Sequence, residues 1–127
     1  MIRFLLVCLG GAVGTGARYL LGGWVAQLAG PAFPVGTLAI NVIGSFAIGI
    51  VAAVGLSGGI GPDARVILSV GVLGGFTTYS SFNYETLAFA QRGAWSLALA
   101  YVAATFLGCL GAGVLGIFAA RALTGSG

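Results

Sequence analysis

Between Gly71 and Thr86 the chain reads Gly-Val-Leu-Gly-Gly-Phe-Thr-Thr-Tyr-Ser-Ser-Phe-Asn-Tyr-Glu-Thr, a run of hydroxyl, amide and carboxyl groups inside a stretch otherwise apolar enough to cross a bilayer. In hydrocarbon an unsatisfied polar group costs several kcal/mol, so polar residues at membrane depth persist only where they are buried in protein or line a wet cavity. The chemistry on offer is hydrogen bonding to something that passes or sits there. Tyr79 and Phe82, three residues apart, share one helical face, while Ser81 and Glu85, four apart, share another. Elsewhere Thr37, Asn41 and Ser45 form a line at i, i+4 and i+8, and Tyr101, Thr105 and Cys109 form a second one. Thr37, Ser45 and Thr105 can bond their own helices, and the two aromatics can be ordinary core. Asn41 is harder to satisfy that way, because its amide carries two N–H donors and an acceptor. A pathway role is therefore preferred for Asn41.

Those residues need long apolar elements to carry them, and the composition supplies little else. Of 127 residues, 59% are hydrophobic and 6% charged, and the mean hydropathy is +1.12. Such a chain is expected to be an integral membrane protein. Four apolar segments, at about Phe4–Leu28, Val35–Leu56, Val66–Ala90 and Ala94–Ala120, each approach the ~20 residues of a spanning helix. Strand-like alternation is absent. Pro31, Pro34 and Pro62 fall between segments, so the connections are short and residues 1–127 are expected to form one four-helix transmembrane domain. The third helix is predicted to break at Gly74-Gly75 and Thr77-Thr78, leaving carbonyls at the end of its first half and N–H groups at the start of its second. In the first helix Gly10 and Gly14 read as a close-packing pair, and on the last Gly108, Ala112 and Gly116 form a small-residue face.

The charges bear on orientation and on what is excluded. Four spans place Arg3, Arg65 and Arg121 on one side and Arg92, with or without Arg18, on the other, an arginine bias too slight to instruct one topology. Insertion in both orientations and an antiparallel homodimer are the expectation, and a cysteine at Ser126 labelled from both sides would report it. Arg18 lies well inside its segment and either snorkels or meets an interior partner. Glu85 is either solvated near Arg92 or stands at a pore mouth. Five arginines scattered over helix ends make no basic patch, which argues against nucleic acid. With no histidine and a single membrane-embedded acid there is no acid–base or nucleophile–base constellation, so an enzyme is not expected. Cys8 and Cys109 suggest neither a disulfide framework nor a zinc site.

The residues Gly74-Gly-Phe-Thr-Thr-Tyr-Ser-Ser-Phe82, with Gly36-Thr-Leu-x-x-Asn41 and Gly16-Ala-Arg18-Tyr upstream, resemble the Fluc/CrcB family of fluoride channels over nearly the whole chain. The resemblance implies a dual-topology dimer in a prokaryotic inner membrane, passing fluoride passively and lowering its cytoplasmic toxicity. It implies a structural Na⁺ held by backbone carbonyls of Gly74 and Thr77 from each subunit. It makes Phe82 a pore phenylalanine, Asn41 the pore asparagine, and Tyr101 with Thr105 a polar track. Ser81 and Glu85 become positions along the pore and its vestibule, Thr37 a neighbour one turn before Asn41, and Arg18 the first-helix arginine. Tyr79 stands where the family more often has Phe, and Cys109 where a hydroxyl is frequent. A ring edge is positive, so an aromatic pair offers a weak anion site that an ion can also leave.

Two other functions fit a small apolar bundle. A proton-coupled multidrug exporter needs a membrane-embedded acid to exchange protons, yet the first helix has none and Glu85 comes late in the third. A non-transporting adaptor needs only glycine packing and leaves the polar face of the third helix without a purpose.

Overall fold

A computed structural model describes residues 1–124, and Ser126 lies outside the described residues. In chain order the helices are α1 (Ile2–Ala29), α2 (Val35–Leu56), α3 (Pro62–Val66), a π-helical stretch Ile67–Leu73, α4 (Gly74–Phe76), α5 (Tyr79–Gln91) and α6 (Trp95–Thr124). Among the described residues there is no strand. Three helices, α1, α2 and α6, with 28, 22 and 30 residues, are long and apolar enough to cross a membrane. Pro34 stands at the cap of α2 and Pro62 at the first position of α3, where a missing N–H costs nothing.

The segment between Pro62 and Gln91 is interrupted, as the sequence predicts, but the threonines carry the interruption and the glycines do not. Gly74 keeps helical angles (φ −64°, ψ −36°), whereas Thr77 (φ −79°, ψ 158°) and Thr78 (φ −149°, ψ 108°) are extended. The glycines are there for contact. A Cβ on Gly75 would fall on the Gly11 carbonyl, and one on Gly14 would fall on the carbonyl of Val72. Buried Gly10 and Gly14 thus let α1 lie directly on the first half of the broken segment, the use expected of a close-packing pair. The π-helical Ile67–Leu73 has no counterpart in the sequence reading, since seven residues that are apolar nearly throughout carry too little pattern to show a change of helical period.

On the other side α2 and α6 pack backbone to backbone. Gly49 meets the Gly113 carbonyl and Gly116 the Phe46 carbonyl, while Gly108 faces Val42, so both helices run in the same direction. Arg3 and Asp63 form an exposed ion pair at 3.4 Å, and the Arg65 stem covers Gly55, which gathers the start of α1, the end of α2 and the start of α3 at one end. The end of α6, with Arg121, points the same way. Arg92 lies at the opposite end, after α5.

The described residues form a small core. Ile40, Phe76, Ala98, Tyr101, Ala112 and Ala120 are its buried apolar residues, and many leucines, isoleucines and phenylalanines face outward. That distribution suits a protein surrounded by apolar material rather than by water.

Candidate ion pathway at the broken helix

The break is held open by the side chains of Asn41 and Thr78. Asn41, on α2 and 8% exposed, donates from Nδ2 to the Thr78 carbonyl (3.0 Å) and accepts the Thr78 N–H at Oδ1 (2.8 Å). Its amide acts as a replacement peptide group for a residue that has left the helix. One of the two Nδ2 hydrogens remains uncommitted. Thr78 is also the cap of α5: its Oγ1 accepts the Ser81 N–H (3.2 Å) and donates to Ser81 Oγ (3.0 Å). Ser81 Oγ therefore accepts within the protein and keeps its own proton free.

Two peptide N–H groups are diverted by this arrangement. In a continuous helix the Thr78 N–H would reach back to the Gly74 oxygen and the Ser81 N–H to the Thr77 oxygen. Asn41 takes the first and the Thr78 hydroxyl takes the second. Gly74 and Thr77 are the residues whose carbonyls the family resemblance assigns to sodium, and they are the ones relieved of their regular donors. Carbonyl oxygens at a helix break suit an alkali cation, so the residues present fit that ion.

Half a helix further on, Glu85 accepts from Thr37 Oγ1 at 2.7 Å and from the Tyr101 hydroxyl at 2.6 Å. Both are short, as bonds to a carboxylate should be. Glu85 is thus fixed between α2 and α6 by its bonds, and Arg92 is not its ion-pair partner among the described residues. Tyr101 is completely buried, with Phe82 at 5.2 Å between ring centres, and Tyr79 lies 5.5 Å from Phe82 on the outer side, 78% exposed. The Thr105 hydroxyl, one turn beyond Tyr101, is buried without a hydrogen-bond partner. Thr77 and Thr86 satisfy theirs on carbonyls four residues earlier, so the isolation of Thr105 is specific to its place.

Two cavities meet at Glu85. One of about 400 Å³ is lined by Thr15, Arg18, Thr37, Ile40, Thr78, Ser81 and Glu85, and the second, of about 580 Å³, by Gln27, Phe33, Tyr84, Glu85, Phe89 and Arg92. Ala26 and Pro34 also border both. Arg18 is half-buried and has no ion pair or hydrogen bond among the described residues, so its guanidinium is left to the cavity. No group of three or more His, Cys, Asp or Glu residues suited to a metal occurs among the described residues.

The structure brings Thr37, Ser81, Glu85 and Arg18 onto one cavity, places Asn41 against its wall through Thr78, and groups Tyr79, Phe82 and Tyr101 in one aromatic row. Thr105 lies apart from these contacts. Sequence reasoning placed Thr78 at the break but did not single it out as a cap, and it did not single out Phe33 or Phe89. The position of Thr78 before an α5 start was a readable cap signal, whereas Phe33 and Phe89 reach Tyr101 only through tertiary packing.

Membrane-length apolar helices arranged about a broken one, with two N–H groups diverted from their helical carbonyls and spare hydrogen-bond donors at the break, describe a multi-pass membrane protein. The chain belongs to the CrcB family: the family model described as CrcB-like protein, Camphor Resistance (CrcB), matches residues 5–117. It is 54% identical over 126 residues, 98% of this chain and 100% of the relative, to a fluoride-specific ion channel FluC of Anaeromyxobacter dehalogenans. Similar relatives of the same name occur in Sorangium cellulosum (49% over 124 residues, 97% of this chain and 98% of the relative) and Thermus thermophilus (51% over 109 residues, 85% and 86%).

Proposed function

We propose that this chain is the subunit of a fluoride-selective channel that releases fluoride from the cell passively. The observation that carries the reading is the set of spare donors in a chain so similar to fluoride-specific channels: Asn41 Nδ2 and Ser81 Oγ at the break each keep a proton that no protein group accepts, Thr105 Oγ1 does so apart from them on α6, and Thr37 and Tyr101 already hold a carboxylate oxygen. A small anion needs closely spaced donors to replace its water, and Phe82 adds a ring edge without a fixed charge that would retain the ion. Glu85 is the anion these hydroxyls bind at rest, so a passing fluoride takes a share of the same donors. Arg18 raises the local anion concentration in the cavity.

The passive mode follows from energetics. An inside-negative potential of 100 mV drives each anion outward with ~2.3 kcal/mol, roughly a fiftyfold gradient, and no coupled ion is required. We further propose that the broken segment supplies a fourth crossing, that two subunits associate antiparallel in a prokaryotic inner membrane, and that the Gly74 and Thr77 carbonyls of both subunits hold one sodium ion. Its charge would offset carbonyl dipoles that the helix break leaves unpaired. The diverted N–H groups of Thr78 and Ser81 support that assignment, and the outward-facing apolar side chains support a second subunit and lipid as neighbours.

The test is physiological. In a bacterium lacking its own fluoride exporter, expression of the chain should restore growth in fluoride-containing medium and lower intracellular fluoride. Membrane-inserted protein that leaves both unchanged would remove the proposal.

A further inference from the structure

We propose that Phe33, on the connection between α1 and α2, is a positioning residue for the two hydroxyl donors on Glu85. The inference rests on the fluoride-channel reading. Tyr101 is fully buried although its hydroxyl bonds a carboxylate, and three rings enclose it. Phe82 (5.2 Å) and Phe89 (6.3 Å) both come from α5. Phe33 approaches at 5.2 Å with its plane at 83°, an edge-to-face contact, and stacks on Phe89 at 6.2 Å and 29°. Among these rings Phe33 alone ties Tyr101 to the α1–α2 connection.

That connection is built to hold a ring still. Pro34 (φ −77°, ψ 60°) sits at the centre of an inverse γ-turn in which the Val35 N–H donates to the Phe33 carbonyl at 2.7 Å. The same turn starts α2, and Thr37 follows three residues after Pro34. One rigid unit therefore sets both partners of Glu85, Thr37 through the backbone and Tyr101 through the Phe33 ring. Phe33 also forms part of the 580 Å³ cavity wall beside Glu85, so ring loss would free Tyr101 on the side where water enters.

The experiment is a double-mutant cycle on fluoride efflux from liposomes, with gel-filtration and thermal unfolding of each protein as the record of folding. Phe33→Leu should lower efflux about tenfold and Phe33→Tyr, which keeps the ring, should restore it. Tyr101→Phe keeps the packing surface and deletes the hydroxyl; it should lower efflux itself, and adding Phe33→Leu to it should change efflux by less than about twofold. A merely supporting Phe33 would give the same fold-loss in both backgrounds, which would overturn the assignment. So would Tyr101→Phe or Phe33→Leu conducting like the parent. If Phe33→Leu does not fold, Phe33→Met takes its place; loss of fold in both marks Phe33 as structural and overturns the proposal. A parent protein that passes no fluoride would instead count against the channel reading itself.

Discussion

Replacing Asn41 by Ala removes the one side chain from α2 that, among the described residues, hydrogen-bonds across the break. The variant loses two hydrogen bonds, from Nδ2 to the Thr78 carbonyl and from the Thr78 N–H to Oδ1, at a residue pair that is 8% and 7% exposed. An orphaned buried group costs about 1–3 kcal/mol. The Thr78 N–H can recover by turning back to the Gly74 oxygen, which closes the helix by one residue, and the Thr78 carbonyl, at the cap of α5, keeps the first intrahelical bond of that helix. The net cost should be about 1–3 kcal/mol, and the recovered bond removes one of the two freed carbonyls. The assay is equilibrium unfolding in detergent, run with sodium and with a large organic cation replacing it. Asn41→Ala should be less stable by that amount and should lose most of the sodium-dependent part of its stability. Asn41→Asp keeps the acceptor for the N–H but sets a carboxylate against the Thr78 carbonyl, and should be no better than the alanine variant. Unchanged stability with an unchanged response to sodium would refute the idea that Asn41 holds the break open.

Other changes probe neighbouring parts of the same arrangement. Phe82→Ile should fold with a loss of at most about 1 kcal/mol yet abolish fluoride efflux, because bulk is kept and the ring quadrupole is not; conduction at parental rates would show that the ring is only core. Tyr79→Phe should conduct like the parent in the same efflux assay, since the Tyr79 side chain is exposed and its hydroxyl has no partner among the described residues. Gly75→Ala should destabilise by about 1–3 kcal/mol in equilibrium unfolding, as its methyl group meets the Gly11 carbonyl and α1 must move away. In a background with Cys8 and Cys109 replaced, cysteine at Ser126 should be labelled from both sides of intact cells; labelling from one side alone would contradict the dual orientation.

Much of this arrangement is legible in the sequence because the bilayer leaves few choices. Apolar runs of spanning length define α1, α2 and α6 to within a few residues, and a glycine pair followed by two threonines announces the interruption. Of the two pairs at which the break is expected, Thr77 and Thr78 leave the helix while Gly74 and Gly75 stay helical, since what the glycines supply is contact distance to α1, a property of the neighbour and not of the local chain. Asn41 is recognisable as an amide too polar for its helix, but its partner is a backbone group 37 residues away, and only tertiary structure selects it. Glu85 is similar. Its place late in the third segment is compatible with solvation beside Arg92, and it is the crossing of α2 and α6 that gives it Thr37 and Tyr101. Phe33 carries no local signal, being one of two apolar residues between Pro31 and Pro34.

The most direct test of the central claim is efflux from liposomes holding equal concentrations of fluoride and chloride, followed with electrodes for each anion after the membrane is made permeable to a counter-ion. Purified protein should release fluoride rapidly and leave chloride inside, because a small anion gains more than a larger one from hydroxyl and amide donors such as Ser81 Oγ and Asn41 Nδ2 in place of its water. Comparable release of chloride, or retention of both anions, would contradict it.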